Sequence, residues 1–128
     1  MLPRVRRAKP IIRVITAVVM SIAGALHFIA PEPYLRMMPA ALPWHEALVA
    51  ISGVFETLGG LGLLIPRVRW IAAVGLALLY LAVFPANINM ALNHISLFPD
   101  KPIDPWMLWA RLPLQALFIA NAWWLRKP

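Results

Sequence analysis

The sequence predicts an all-α fold: an integral membrane four-helix bundle with both termini cytoplasmic. Three observations predict it. Of 128 residues, 62% are hydrophobic and only 13% charged, where a soluble domain is about half apolar and about a quarter charged. The mean hydropathy is +0.75. The apolar residues fall into four stretches of roughly 20 residues, the length a helix needs to cross a bilayer. Most basic residues gather between and beyond these stretches on one side.

Residues 1–10 form a basic arm carrying Arg4, Arg6, Arg7 and Lys9. The first span follows at about 11–30 and holds Gly24 and His27 near its far end. A secretory signal with Ala23, Gly24 and Ala25 at the cleavage site is the competing reading. The apolar run is long for such a signal, which favours a spanning helix. Residues 31–43 make a proline-punctuated connection in which 34–38 suit one interfacial turn, and Trp44 suits an aromatic belt. The second span, about 47–65, carries one carboxylate, Glu56, among Gly53, Gly59, Gly60 and Gly62. Small residues let another helix approach closely, which can enclose such a group. Residues 66–69 are a short basic turn, so the second and third spans are antiparallel neighbours.

The third span runs from about 70 to 91. Pro85 within it cannot donate a backbone hydrogen bond and releases the Leu81 carbonyl. Asn87 and Asn89 follow. Residues 94–104 read as a polar loop. The fourth span, about 105–125, contains Arg111, Pro113, Gln115 and Asn121, and Trp123 and Trp124 close it ahead of Arg126 and Lys127. Residues 1–128 thus form a single transmembrane domain.

Charge sets the orientation. Arg4, Arg6, Arg7, Lys9, Arg13, Arg67, Arg69, Arg126 and Lys127 fall on one side; Arg36 and Lys101 are the basic residues of the other, with Glu32, Glu46, Asp100 and Asp104. The positive-inside rule places the first side in the cytoplasm, giving a multi-pass protein of the cytoplasmic (inner) membrane. The net charge of +7 is therefore topological, and nucleic acid is not an expected partner.

At a rise of about 1.5 Å per residue, Glu56 lies about 13 Å and Arg111 about 9 Å below the outer starts of their helices. His27, Asn87 and Asn89 lie near the outer ends, and Gln115 one turn beneath Arg111. An ionisable group at membrane depth needs a partner, so a buried Glu56–Arg111 pair is expected, within reach of His27, Asn87, Asn89 and Gln115. These six are the candidate binding residues. The pair either fixes helix register or forms a working pocket. Without cysteine the chain has no thiolate ligand or thiol redox couple. His27, His45 and His94 lack the spacing of a metal site, so no metal is expected, and no catalytic residue is assigned. The glycines of the second span fit helix packing better than a phosphate loop.

Gly24 to Phe28, Pro33 and Tyr34, Met38 and Pro39, Ser52 to Glu56 with the glycine cluster, Leu64 to Arg67, and Phe84 to Ala91 occur in an order that resembles the DoxX-like family. The resemblance covers roughly residues 11–125. It implies a small four-helix membrane protein with relatives in redox complexes, and a polar set of His27, Glu56, Asn87, Asn89 and Arg111. The leading functional expectation is an accessory or assembly subunit of a membrane redox complex, with little chemistry of its own. The alternatives are a quinone- or small-molecule-binding oxidoreductase component, a transporter, and a membrane-protein chaperone. Quinone is the candidate cofactor. The candidate partners are the lipid bilayer, a membrane protein of a redox complex and a second copy of this chain.

Overall fold

A computed structural model describes residues 3–96, 98 and 100–128. Met1 and Leu2 of the basic arm, and Leu97 and Pro99 of the polar loop, lie outside the described residues. The protein is all-helical, with no strand among the described residues: α1 (Pro3–Ile29), α2 (Glu32–Met37), α3 (His45–Gly62), α4 (Arg69–Asn93) and α5 (Pro105–Leu125). Each apolar stretch of the sequence contains one long helix, and the short turn expected at 34–38 is largely α2. The basic arm is not a separate segment. α1 begins at Pro3, a position where a missing N–H is tolerated, and runs through Arg4, Arg6, Arg7 and Lys9.

The helix ends have local causes. Pro66 cannot extend α3, and the Arg69 Nε donates to the Leu63 carbonyl at 3.0 Å just beyond its last turn. α4 stops at His94, whose left-handed backbone (φ 49°) turns its N–H back to the Met90 carbonyl. Pro105 and Asp104 open α5. α4 and α5 each continue through an internal proline, Pro85 and Pro113. At the first of these, Gln115 Nε2 donates to the Tyr80 carbonyl at 2.8 Å, so α5 serves a backbone acceptor one residue from the carbonyl that Pro85 leaves free.

The long helices pack in the order α1, α3, α4, α5, and α2 lies across α3 and α4. Glycine makes the first contacts close. A Cβ on Gly53 would lie 2.6 Å from His27 Cβ, and one on Gly59 would lie 2.6 Å from Leu76 Cγ. The glycine run of α3 therefore presents bare backbone to both neighbours, Gly53 and Gly60 toward α1, Gly59 and Gly62 toward α4.

Side chains join α1 to α5. Asn121 Nδ2 donates to Thr16 Oγ1 at 3.1 Å, and Arg13 Nη2 to the Lys127 carbonyl at 2.9 Å. This end has a core of Ala17, Met20, Leu63, Leu76, Ala122 and Leu125 with the Tyr80 hydroxyl against Met20 Sδ. The other end has its own small core, where Met37 of α2 meets Ala86, Met90 and Leu108. Among the described residues two helices, α1 and α4, are long and apolar enough to cross a membrane. Much of the outward surface is apolar, including Ile15 and Ile22 on α1, Phe55 and Leu58 on α3, Leu78 on α4 and Leu117 on α5.

Candidate functional site

The site lies at the end opposite the joined termini, where α1 approaches α3. Gly24 lets α3 in one turn before His27, and Gly53 gives the imidazole room on the other side. The His27 ring therefore lies close against α3. Its Nε2 is 3.0 Å from Glu56 Oε2, and only 10% and 13% of the two side chains is exposed. Its Nδ1 is 2.8 Å from the Val49 carbonyl. Tyr34 of α2 covers the ring, with centroids 3.9 Å apart, and its hydroxyl donates to the Ala23 carbonyl at 3.3 Å.

This geometry fixes where protons can be. A carbonyl only accepts, so Nδ1 carries a hydrogen toward Val49. Nε2 then has two ways to meet Glu56. It donates as part of an imidazolium to a carboxylate, or it accepts from a protonated Glu56. The two states share one proton and have the same net charge, so the pair can pass a proton between its members without changing the charge that is buried. Burial holds the Tyr34 phenol above its ordinary range. The Glu56 carboxylate adds to that rise, and the Arg111 guanidinium opposes it.

The expected partner of Glu56 was Arg111, and the structure places His27 there instead. Among the described residues, His27 with Glu56 is the only ion pair within 4.0 Å. The reason is helix order: α5 packs on α4, while α1 lies against α3. Arg111 is half-buried, close enough to Tyr34 to influence its phenol, and has no hydrogen-bond partner among the described residues.

The other expected site residues are divided. Asn89 Nδ2 donates to the Met37 carbonyl at 3.1 Å and so ties α4 to α2. Gln115 braces the Tyr80 carbonyl. Asn87 is 3% exposed, and its Oδ1 has no partner among the described residues. His27 and Glu56 form the site proper, Asn89 and Gln115 hold backbone, and Asn87 and Arg111 keep unused polar capacity. Sequence reasoning missed Tyr34 as a site residue. The signal was present: Pro31 and Pro33 reverse the chain directly after His27, which returns a residue of α2 to the imidazole.

A cavity of about 570 Å³ opens beside the pair, within the range of small-molecule sites. Its walls are apolar, from Met37 of α2 and Met38 just after it, Leu48 and Phe55 of α3, and Leu79 and Val83 of α4. His27, Tyr34 and Ser52 supply polar edges. The Ser52 hydroxyl already donates to the Leu48 carbonyl and keeps its acceptor lone pairs. A second, more open hollow borders Trp44, His45 and Glu46, where His45 Nε2 meets the Pro39 carbonyl at 3.0 Å. No three His, Asp or Glu side chains converge among the described residues. The cavity can seat a molecule with an apolar body, and the imidazole that lines it shares a proton with the Glu56 carboxylate behind it.

A family model described as a domain of unknown function (DUF8561) matches residues 16–126. No curated protein and no solved structure matches the chain.

Proposed function

We propose that this chain, which belongs to the DUF8561 family, is a multi-pass protein of the cytoplasmic (inner) membrane that binds an apolar small molecule with one polar head, of the quinone class. The carrying observation is the apolar cavity whose wall includes His27, the partner of Glu56. A soluble protein rarely leaves a large contiguous apolar surface, and here all four long helices turn apolar side chains outward. The basic residues gather where α1 starts and α5 ends, which supports cytoplasmic termini. The four-helix membrane bundle is part of this proposal, as is kinship with the DoxX-like family.

In this reading the ring of a quinone lies between Phe55, Val83 and the methionines. The Tyr34 hydroxyl is the polar group most readily turned to a ligand carbonyl, because its present bond is long at 3.3 Å. His27 and Glu56 exchange a proton with the head when its protonation changes. The test is titration of the detergent-purified protein with decylubiquinone by calorimetry. Binding near one equivalent is expected. Val83→Trp, which fills the cavity without touching the pair, should weaken it by more than tenfold. Equal binding to both proteins, or binding to neither, refutes the proposal.

One observation favours a second reading, the accessory subunit of a membrane redox complex. Arg111 is a half-buried guanidinium with no acidic partner among the described residues, and a carboxylate of a partner subunit would complete it. Arg111→Gln should then release a co-purifying membrane protein while leaving decylubiquinone binding intact. No change in co-purifying proteins counts against it.

A further inference from the structure

The opposite end of the molecule carries a second feature. Lys9 and Arg13 are only 6% and 7% exposed, which is unusual burial for cations without an aspartate or glutamate partner. Lys9 Nζ donates to the Pro128 carbonyl at 3.1 Å and lies 5.0 Å above the Trp124 ring. Arg13 Nη2 takes the Lys127 carbonyl. Its Nε is buried and has no partner among the described residues. Arg69, Arg126 and Lys127 lie within electrostatic reach of Lys9, and Arg69 within reach of Arg13.

Five cations therefore share one end of the helices, and no aspartate or glutamate side chain answers them. The acidic residues are Glu32, Glu46, Glu56, Asp100 and Asp104. Glu32 is in α2, Glu46 in the first turn of α3, Glu56 pairs with His27, and the two aspartates precede α5. Main-chain oxygens beyond α5 answer Lys9 and one arm of Arg13, which leaves the cluster with an excess of positive charge. A cluster of like charges with an unused buried donor favours an anion from outside the chain.

We infer that Lys9, Arg13 and Arg69 form a site for the phosphate group of an anionic phospholipid at the junction of α1, α4 and α5. The inference rests on the membrane reading above. Phosphate matches a guanidinium fork and tolerates several cations at once. Two further features favour a lipid over a free anion. Exposed Trp70 and Trp123 stand next to Arg69 and Trp124 in the chain, as residues of a headgroup belt do. Exposed Ile11 and Ile15 on α1 and Ile71 on α4 continue the apolar surface away from the cations, where acyl chains would lie. Basic pockets between helices on the cytoplasmic side bind such headgroups.

The test uses the full chain expressed in membranes, washed with alkaline carbonate, and then placed in nanodiscs holding equal phosphatidylcholine and phosphatidylglycerol. Loss of the chain from the washed membranes overturns the membrane reading, and this inference with it. With the chain retained, native mass spectrometry after release from the discs should show one phosphatidylglycerol adduct in preference to phosphatidylcholine. Arg13→Gln should reduce that preference about fivefold, the effect of removing one basic residue near an anionic lipid. Lys9→Gln should act in the same direction, and it covers the case in which Arg13→Gln fails to fold. Exposed Arg6 is the control, and Arg6→Gln should leave the adduct in place. Equal retention of the two lipids, or an adduct indifferent to both variants, overturns the inference. In detergent, a thermal shift with inorganic phosphate and no lipid preference in discs would overturn the lipid as occupant.

Discussion

Gly53→Ala tests the packing on which the site depends. Its Cβ would lie 2.6 Å from His27 Cβ and 3.0 Å from the Gly24 carbonyl oxygen. The first distance is about 1 Å inside ordinary carbon–carbon contact, about 3.5–4.0 Å. The nearest groups are a Cβ and a backbone oxygen, which cannot move without moving α1. Overpacking of this kind costs about 1–3 kcal/mol, and it opposes a gain of up to about 1 kcal/mol from replacing helical glycine by alanine. With the full gain set against it, the net expectation is a loss of up to about 2 kcal/mol from the parent, together with displacement of His27 from Glu56. Gly75 supplies the control, since a Cβ there meets nothing within 4 Å. Gly75→Ala should keep the propensity gain alone and be neutral or stabilising. Reversible unfolding in mixed micelles, followed by tryptophan fluorescence, reads both variants against the parent. A Gly53→Ala protein as stable as Gly75→Ala would refute the close approach of α1 and α3 and the site built on it.

The His27–Glu56 pair predicts a contrast between two substitutions. Glu56→Gln can still donate to Nε2 of neutral His27 and should stay within about 1 kcal/mol of the parent, whereas Glu56→Leu strands a buried ring nitrogen and should lose about 1–3 kcal/mol. Equal losses in the same unfolding assay would refute the hydrogen-bonded pair. Gln115→Leu removes the donor to the Tyr80 carbonyl beside the Pro85 position and should destabilise by a similar 1–3 kcal/mol or about that, with wild-type stability as the refuting result. Tyr34 predicts a pH effect. Burial raises its phenol above the usual range, so the folded state keeps the proton more firmly than the unfolded state does. The stabilisation is full below about pH 10, the unfolded value, and is lost as pH rises through the folded one. With two tyrosines in the chain, Tyr80→Phe leaves Tyr34 as the sole phenol. Its 295 nm titration should have a midpoint above that of free tyrosine, and an ordinary midpoint would contradict the buried placement.

The sequence by itself determined the helices, because apolar runs bounded by prolines and charges are local signals. It also determined that Gly53, Gly59, Gly60 and Gly62 pack against other helices, since small residues in an apolar segment have few other uses. It drew attention to Glu56 for the same reason, as a lone carboxylate in an apolar stretch. Its partner was not a local property. Depth along each helix made Arg111 as reasonable a partner as His27, and only the lateral order of the helices, with α1 against α3 and α5 beyond α4, decided between them. Tyr34 reached the imidazole because α2 folds back across α3 and α4. Lys9 and Arg13 read as flanking charges in the chain and became buried because α5 ends beside the start of α1. Composition fixes what a helix can face. Which neighbour it faces follows from the simultaneous packing of all of them, a condition that no single segment carries.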